Sequence, residues 1–151
     1  MIMKKYIHYG NTFFDRNCFM TVKNSRCGSS KPNGGFWASP VDATWGWKDW
    51  CDENYFRKCT EDNSFQFHLA PTANVLVIDN ISCLEGLPRA EYGEFSHDLW
   101  VSLDFEKLRD SGIDAIEYDL SADGRLYMAL YGWDCDSILI MNPDVVVVEE
   151  T

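Results

Sequence analysis

The apolar residues of this chain fall into short runs with turn-forming residues between them, a spacing that suits many strands and few helices. Residues 74–79 (NVLVID) and 137–141 (SILIM) are continuous apolar runs, typical of strands that are buried on both faces. Further strands are predicted at 4–9, 36–38, 65–69, 113–118, 126–131 and 145–148. This pattern predicts an α+β protein of mainly antiparallel strands.

One principal helix is predicted in the first third of the chain. Ser39-Pro40 followed by Asp42 is a typical helix start, because a serine can cap the first turn and proline fits its first position. From that start we expect the helix to continue to about Asn54.

A second, shorter helix is predicted at 104–111, capped by Asp104 and ended by Gly112. Asp123-Gly124 is typical of a hairpin turn, which would pair the strands on either side of it.

Length and composition indicate one globular domain. The chain has 151 residues, of which 46% are hydrophobic and 15% aromatic, enough for a real core. No repeat and no interdomain linker is visible, so residues 1–151 are predicted to form a single domain. The clearest loop is 24–35 (NSRCGSSKPNGG), whose length is typical of a functional loop.

The charge of the chain limits its partners. The formal net charge is -11, and no cluster of lysine and arginine is present to displace counterions from nucleic acid. A protein target with a basic surface is therefore a more suitable partner than a nucleic acid. An acidic protein that imitates nucleic acid is the alternative from another functional class.

The cysteines and histidines show no metal-binding spacing, and no CxxC pair occurs. We therefore expect no metal site, and free thiols in a reducing cytoplasm. The start of the chain does not resemble a secretory signal, and no run approaches the roughly 20 apolar residues of a membrane span. The cysteines are Cys18, Cys27, Cys51, Cys59, Cys83 and Cys135.

Three short segments combine polar or reactive residues with elements that can hold them. They are His8-Tyr9-Gly10, the segment 34–39 (GGFWAS) and the segment 132–137 (GWDCDS). In this order they resemble the ADP-ribosyltransferase superfamily, in its diphtheria-toxin and poly-ADP-ribose-polymerase branch. The matching residues are His8, Gly35-Phe36-Trp37 and Asp136.

The resemblance spans almost the whole chain and implies a split β-sandwich with one principal helix and short helices. It also implies NAD as co-substrate. The family usually has tyrosine at the place of Trp37 and glutamate at the place of Asp136. Asp134 is an alternative carboxylate, because residues two apart on a strand face the same side.

The resemblance implies a role for each matching residue. Asp136 would stabilise the oxocarbenium-like ribose that forms as nicotinamide leaves. His8, with Tyr9 and Gly10 beside it, would orient the dinucleotide through the adenosine ribose. Trp37 and either Trp45 or Trp47 would enclose the nicotinamide ring.

Two less direct assignments complete the predicted site. Ser39 would bind the nicotinamide amide, unless it caps the helix instead. The loop at 24–35 would lie over the NAD phosphates, with Arg26 or Lys31 supplying charge.

The predicted activity is transfer of ADP-ribose from NAD to a macromolecule, as in toxins, phage effectors and counter-defence proteins of this family. Hydrolysis of NAD, by a glycohydrolase of the same fold, is the enzymatic alternative. An acidic inhibitor without enzymatic activity and a relative of RNA phosphotransferases are further alternatives. The last of these would be expected to need several arginines positioned for a phosphate, and this chain has few.

Overall fold

The computed structural model describes residues 3–25, 30–90 and 101–149, whose centre is one curled sheet of seven strands in the order β4-β5-β6-β2-β1-β3-β7. The strands are β1 Tyr6–Tyr9, β2 Phe36–Pro40, β3 Ser64–Leu69, β4 Val75–Ile78, β5 Ala115–Tyr118, β6 Ser137–Ile140 and β7 Val146–Val147. The helices are α1 Trp47–Asn54, α2 Phe105–Asp110 and α3 Leu126–Ala129. Within the described ranges, no helix has the length and apolarity needed to cross a membrane.

The predicted α+β class with mainly antiparallel strands is confirmed. Among the described strands, every neighbouring pair is antiparallel except β4 and β5, whose register runs from Val75 opposite Ala115 to Ile78 opposite Tyr118. The narrower expectation, a split sandwich of the ADP-ribosyltransferase type, stays a prediction.

The prediction that the strand at 74–79, here β4, is buried on both faces is wrong. Among the strands that the structure describes, it pairs with β5 alone at one end of the strand order, and Val77 is 43% exposed. An apolar run reveals the tendency to form a strand, but it does not reveal how many neighbours that strand receives.

The start predicted for the principal helix is also wrong. Ser39 and Pro40 end strand β2, where they pair with Ile7 and Tyr6 of β1, and α1 begins later, at Trp47. The Ser39 hydroxyl nevertheless accepts the backbone N–H of Trp47 at 2.9 Å. Ser39 therefore does cap the helix, but it does so from a neighbouring strand.

The expected hairpin at Asp123-Gly124 and its strand at 126–131 are wrong. Leu126 begins α3, and Leu126 and Leu130 are both fully buried. Their spacing of four residues puts both side chains on one helical face. The carboxylate of Asp123 accepts the backbone N–H of Ile81 at 2.9 Å and so ties this turn to another part of the fold.

The second helix is confirmed, since α2 lies within the predicted range. The Asp104 side chain accepts the backbone N–H of Lys107 at 3.0 Å, which caps the first turn. Gly112 follows the helix with φ +100°, a left-handed conformation that glycine adopts without strain.

The two faces of the sheet build separate cores. Trp37 and Leu139 pack on the face that is covered by α2 and α3. Phe36 and Ile138, their neighbours in sequence, pack on the opposite face with the aromatic side chain of Phe67. Because side chains alternate along a strand, β2 and β6 contribute to both cores and hold the middle of the sheet in place.

Candidate functional site

A cavity of about 410 Å³ lies where strands β1 and β2 separate, next to the segment that leads into β6. Its volume is within the range of small-molecule sites. Its wall contains residues from all three segments that the sequence singled out. The lining residues are Ile7, His8, Tyr9, Lys31, Pro32, Trp37, Ala38, Ser39, Trp47, Arg57, Trp133, Asp134, Cys135 and Ser137.

The His8 side chain lies at the point where β1 leaves β2. The two strands pair at Tyr6 opposite Pro40 and at Ile7 opposite Ser39. Beyond that register, His8 Nδ1 lies 2.6 Å from the carbonyl oxygen of Trp37. A carbonyl oxygen can only accept, so Nδ1 carries the proton and Nε2 is left as the acceptor nitrogen.

Two aromatic rings lie against the His8 imidazole, and its burial affects its protonation state. Its ring centroid lies 4.5 Å from that of Phe36 and 5.5 Å from that of Phe65. Burial lowers the pKa of His8 from its ordinary value, which favours the neutral form of the ring. A Cβ added to Gly10 would lie 3.9 Å from Nε2, which places the acceptor nitrogen beside this glycine.

Trp37 forms one wall of the cavity and is held by a second indole. Its ring centroid lies 4.6 Å from that of Trp133, at an interplanar angle of 45°. Trp133 stacks on Tyr118 with centroids 3.6 Å apart, and its Nε1 donates to the carbonyl of Ser30 at 2.9 Å. The Trp37 wall is therefore supported from behind by the core.

Trp47, the first residue of α1, forms another wall and belongs to an aromatic cluster on this helix. Its ring stacks on Trp50 with centroids 5.2 Å apart, and Phe56 meets it edge-on at 5.8 Å. The side chain of Trp45 does not line the cavity. The structure therefore places Trp47 with Trp37 at the cavity, as one of the two predicted alternatives.

The two candidate carboxylates lie in different environments. Asp134 is partly buried and lines the cavity. Asp136 is 3% exposed, and its carboxylate accepts the backbone N–H and the hydroxyl of Ser121 at 2.9 and 2.7 Å. It also accepts the backbone N–H of Trp45 at 3.2 Å. The Asp136 side chain is thus occupied in the interior and is not part of the cavity wall.

The backbone of Asp136 joins three elements around the cavity. Its N–H donates to the carbonyl of Trp45 at 2.8 Å, and its carbonyl accepts the Ser39 hydroxyl at 2.8 Å. The same hydroxyl accepts the N–H of Trp47. Ser39 therefore uses its only proton within the protein, and its predicted contact with a nicotinamide amide stays a prediction.

Gly35 and Phe36, two further predicted site residues, serve the packing behind the cavity. Phe36 lies among aromatic rings on the opposite face of the sheet. Gly35 has φ +77°, and a Cβ there would lie 2.7 Å from Leu139 Cδ1 and 2.9 Å from Val22 Cγ2. Neither residue lines the cavity.

Replacing Gly35 with alanine is expected to lower the free energy of unfolding by roughly 2–3 kcal/mol, from left-handed strain and overpacking together. Gly86→Ala is the matched control, because Gly86 has the same φ of +77° but no atom of the described residues within 4 Å of an added Cβ. Gly86→Ala should lose only the part of the free energy of unfolding that comes from left-handed strain, about 1 kcal/mol. Urea denaturation measures both, and equal losses would contradict the packing role of Gly35.

The cavity wall carries two cationic side chains although the chain is strongly acidic. The Lys31 ammonium lies 5.9 Å from the ring centroid of Trp133, and the Arg57 guanidinium lies 5.0 Å from that of Phe56. The sequence had suggested Lys31 but not Arg57. Arg26, the other predicted cation, lies outside the described residues.

Cys135 also lines the cavity, but burial raises the pKa of its thiol to about 12. The thiol is therefore protonated at neutral pH and unsuited to act as a nucleophile. In the part of the chain that the structure describes, no group of three or more His, Cys, Asp or Glu side chains forms a candidate metal site.

Sequence reasoning missed several lining residues. Trp133 lies within a segment that the sequence singled out, so its position next to Asp134 was the available signal. Arg57 had no comparable signal, because it reaches the cavity only through the fold of the segment after α1.

Comparison of the chain with protein-family models, curated proteins and solved structures finds no match.

Proposed function

We propose that this cavity binds NAD and cleaves its nicotinamide–ribose bond, with transfer of ADP-ribose to a protein. The observation that supports this most is the meeting of a neutral imidazole, three indoles, a carboxylate and two cations around one space of about 410 Å³. The family resemblance of the sequence had named the imidazole of His8 and the indole of Trp37 for the same task.

The chemistry of the wall suits the parts of NAD. The nicotinamide ring of NAD is a cation, and indole faces such as those of Trp37 and Trp47 attract cations as well as stack on rings. The His8 Nε2 atom can accept a hydrogen bond from a ribose hydroxyl, since Nδ1 holds the proton. Lys31 and Arg57 can neutralise the two charges of the pyrophosphate.

We assign the reactive carboxylate to Asp134. Loss of nicotinamide leaves positive charge on the ribose, and a carboxylate that accepts a hydrogen bond from a ribose hydroxyl stabilises that charge. Asp134 lines the cavity, whereas the oxygens of Asp136 already accept three hydrogen bonds inside the protein. Asp136 then acts as a positioning residue that holds the Trp45–Trp47 segment and Ser39.

The test is incubation of the protein with NAD labelled in its adenosine half, with and without a cell lysate. Release of nicotinamide together with label on lysate protein supports the proposal. Release of nicotinamide with all label in free ADP-ribose instead identifies a glycohydrolase that uses the same site. Intact NAD in both incubations would contradict the enzymatic proposal altogether.

The variant His8→Asn tests the roles of the two ring nitrogens of His8 separately. The asparagine amide can still donate to the Trp37 carbonyl, but it lacks an acceptor at the position of Nε2. We expect the KM for NAD to rise roughly tenfold, the value of one lost hydrogen bond, with kcat changed much less. Steady-state kinetics measures this, and a fall in kcat at constant KM would contradict the assignment of His8 to binding.

A further inference from the structure

An exposed aromatic surface lies directly beside the cavity, at the end of α1. Trp47 belongs to the cavity wall and stacks on Trp50, which is partly exposed. Phe56 meets the ring of Trp50 edge-on at 5.4 Å and is itself 54% exposed. Tyr55, the residue that ends the helix, is 96% exposed. We call these four residues, Trp47, Trp50, Tyr55 and Phe56, the rim aromatics.

Packing within the chain does not account for the tyrosine at position 55. Its backbone is left-handed, with φ 52° and ψ 37°, a conformation that glycine adopts at a helix end with less strain. Its ring is almost completely exposed, so it adds little to the core. Exposed aromatic side chains are enriched where proteins contact their partners. Tyr55 is therefore better explained by a partner than by the fold.

The charges near the rim aromatics favour a cationic partner. Between residues 47 and 62 the chain has five acidic and three basic side chains, so this stretch is negative like the whole protein. The last turn of α1 contains Asp52 and Glu53 and no basic residue. Because a helix carries partial negative charge at its carboxyl end, a cation supplied from outside would be stabilised there.

Aromatic rings add a second attraction for the same kind of partner. The faces of tryptophan, tyrosine and phenylalanine attract arginine and lysine side chains. The rim shows one such contact within the chain, since the Arg57 guanidinium lies 5.0 Å from the ring centroid of Phe56. A segment with exposed arginine or lysine would thus gain contacts with the rings and with the carboxylates, whereas an acidic segment would be repelled.

We propose that the rim aromatics are the docking surface for a basic segment of the acceptor protein, an inference that rests on the proposed transfer of ADP-ribose. An acceptor has to bring its nucleophile to the ribose in the cavity, so it must cover surface next to the cavity opening. Trp47 makes the rim aromatics continuous with the cavity wall. Tyr55 and Phe56 then hold the acceptor beside the bound NAD.

The first experiment measures docking without NAD. A fluorescein-labelled peptide of alternating glycine and arginine is titrated with the full-length protein at low salt, and fluorescence anisotropy gives the Kd. Tyr55→Gly removes the ring, keeps the carboxylates and suits the left-handed backbone, so the variant should fold. We expect its Kd to be roughly two- to fivefold higher than that of the wild type, the value of one exposed cation–π contact.

Phe13→Ala is the matched control, because Phe13 is an aromatic residue that is 62% exposed and lies outside the cavity wall. It should leave the Kd unchanged. A wild-type protein that does not bind the peptide, or equal Kd values for wild type and Tyr55→Gly, would overturn the proposal. Equal binding of a peptide of alternating glycine and glutamate would overturn it as well.

The second experiment separates docking from the chemistry of NAD. Tyr55 does not line the cavity, so Tyr55→Gly should release nicotinamide at the wild-type rate when no acceptor is present. Label transferred from NAD to lysate protein should fall by the same factor as peptide binding. Undiminished labelling by Tyr55→Gly would refute the docking surface alone. Intact NAD with the wild-type protein would refute the proposed function, while the peptide titration still decides whether the surface binds basic segments.

Discussion

Asp134→Asn is expected to lower NAD cleavage by roughly 100- to 1000-fold, the usual cost of losing one preorganised electrostatic contact to the transition state. Asparagine keeps the shape of the side chain and removes its charge, so the ribose would lose the negative group that stabilises its developing positive charge. The loss should appear in kcat, with KM nearly unchanged, because that charge exists only in the transition state.

The measurement is nicotinamide release by purified protein, with stability followed in the same samples. Asp134 is only partly buried, so the free energy of unfolding of the variant should lie within about 0.5 kcal/mol of the wild-type value. Full turnover by a folded Asp134→Asn protein would exclude Asp134 as the reactive carboxylate. The catalytic assignment would then return to Asp136.

Asp136→Ala is expected to lower the free energy of unfolding by roughly 3–5 kcal/mol, because it leaves buried donors without an acceptor. The affected donors are the N–H and hydroxyl of Ser121 and the N–H of Trp45. Loss of their acceptor should loosen the Trp45–Trp47 segment, which then stays joined to residue 136 by the backbone bond to the Trp45 carbonyl. Urea denaturation, compared with Asp134→Ala as the matched carboxylate control, measures the difference.

A milder replacement keeps the test informative if the alanine variant does not fold. Asp136→Asn retains one acceptor oxygen, so it should keep the fold and lose only part of the stability. Its residual NAD cleavage should exceed that of Asp134→Asn by at least about tenfold, because removing the Asp134 charge is expected to lower cleavage far more. Complete loss of cleavage in a fully stable Asp136→Asn protein would show that Asp136, and not Asp134, reacts.

Local sequence signals predicted those elements whose stabilising contacts are also local. Strand β6 lies within a run of apolar residues, and α2 has its own capping Asp104 and its terminating Gly112. The start of α1 could not be predicted in this way, since its capping hydroxyl comes from Ser39 in β2, eight residues before the capped N–H. A strand was predicted at 126–131, where helix α3 forms, because the burial of Leu126 and Leu130 together became visible only with the core assembled.

Local sequence patterns were enough to single out three short polar segments, with His8 and Trp37 among their residues. Which of Asp134 and Asp136 lines the cavity depends on the assembled fold, since the two residues are two positions apart and precede the regular strand β6. Alternation holds only within an extended strand, and here the long-range bonds from Ser121 and Trp45 draw Asp136 into the interior. Arg57 likewise reaches the cavity through a turn of the chain that no local pattern encodes.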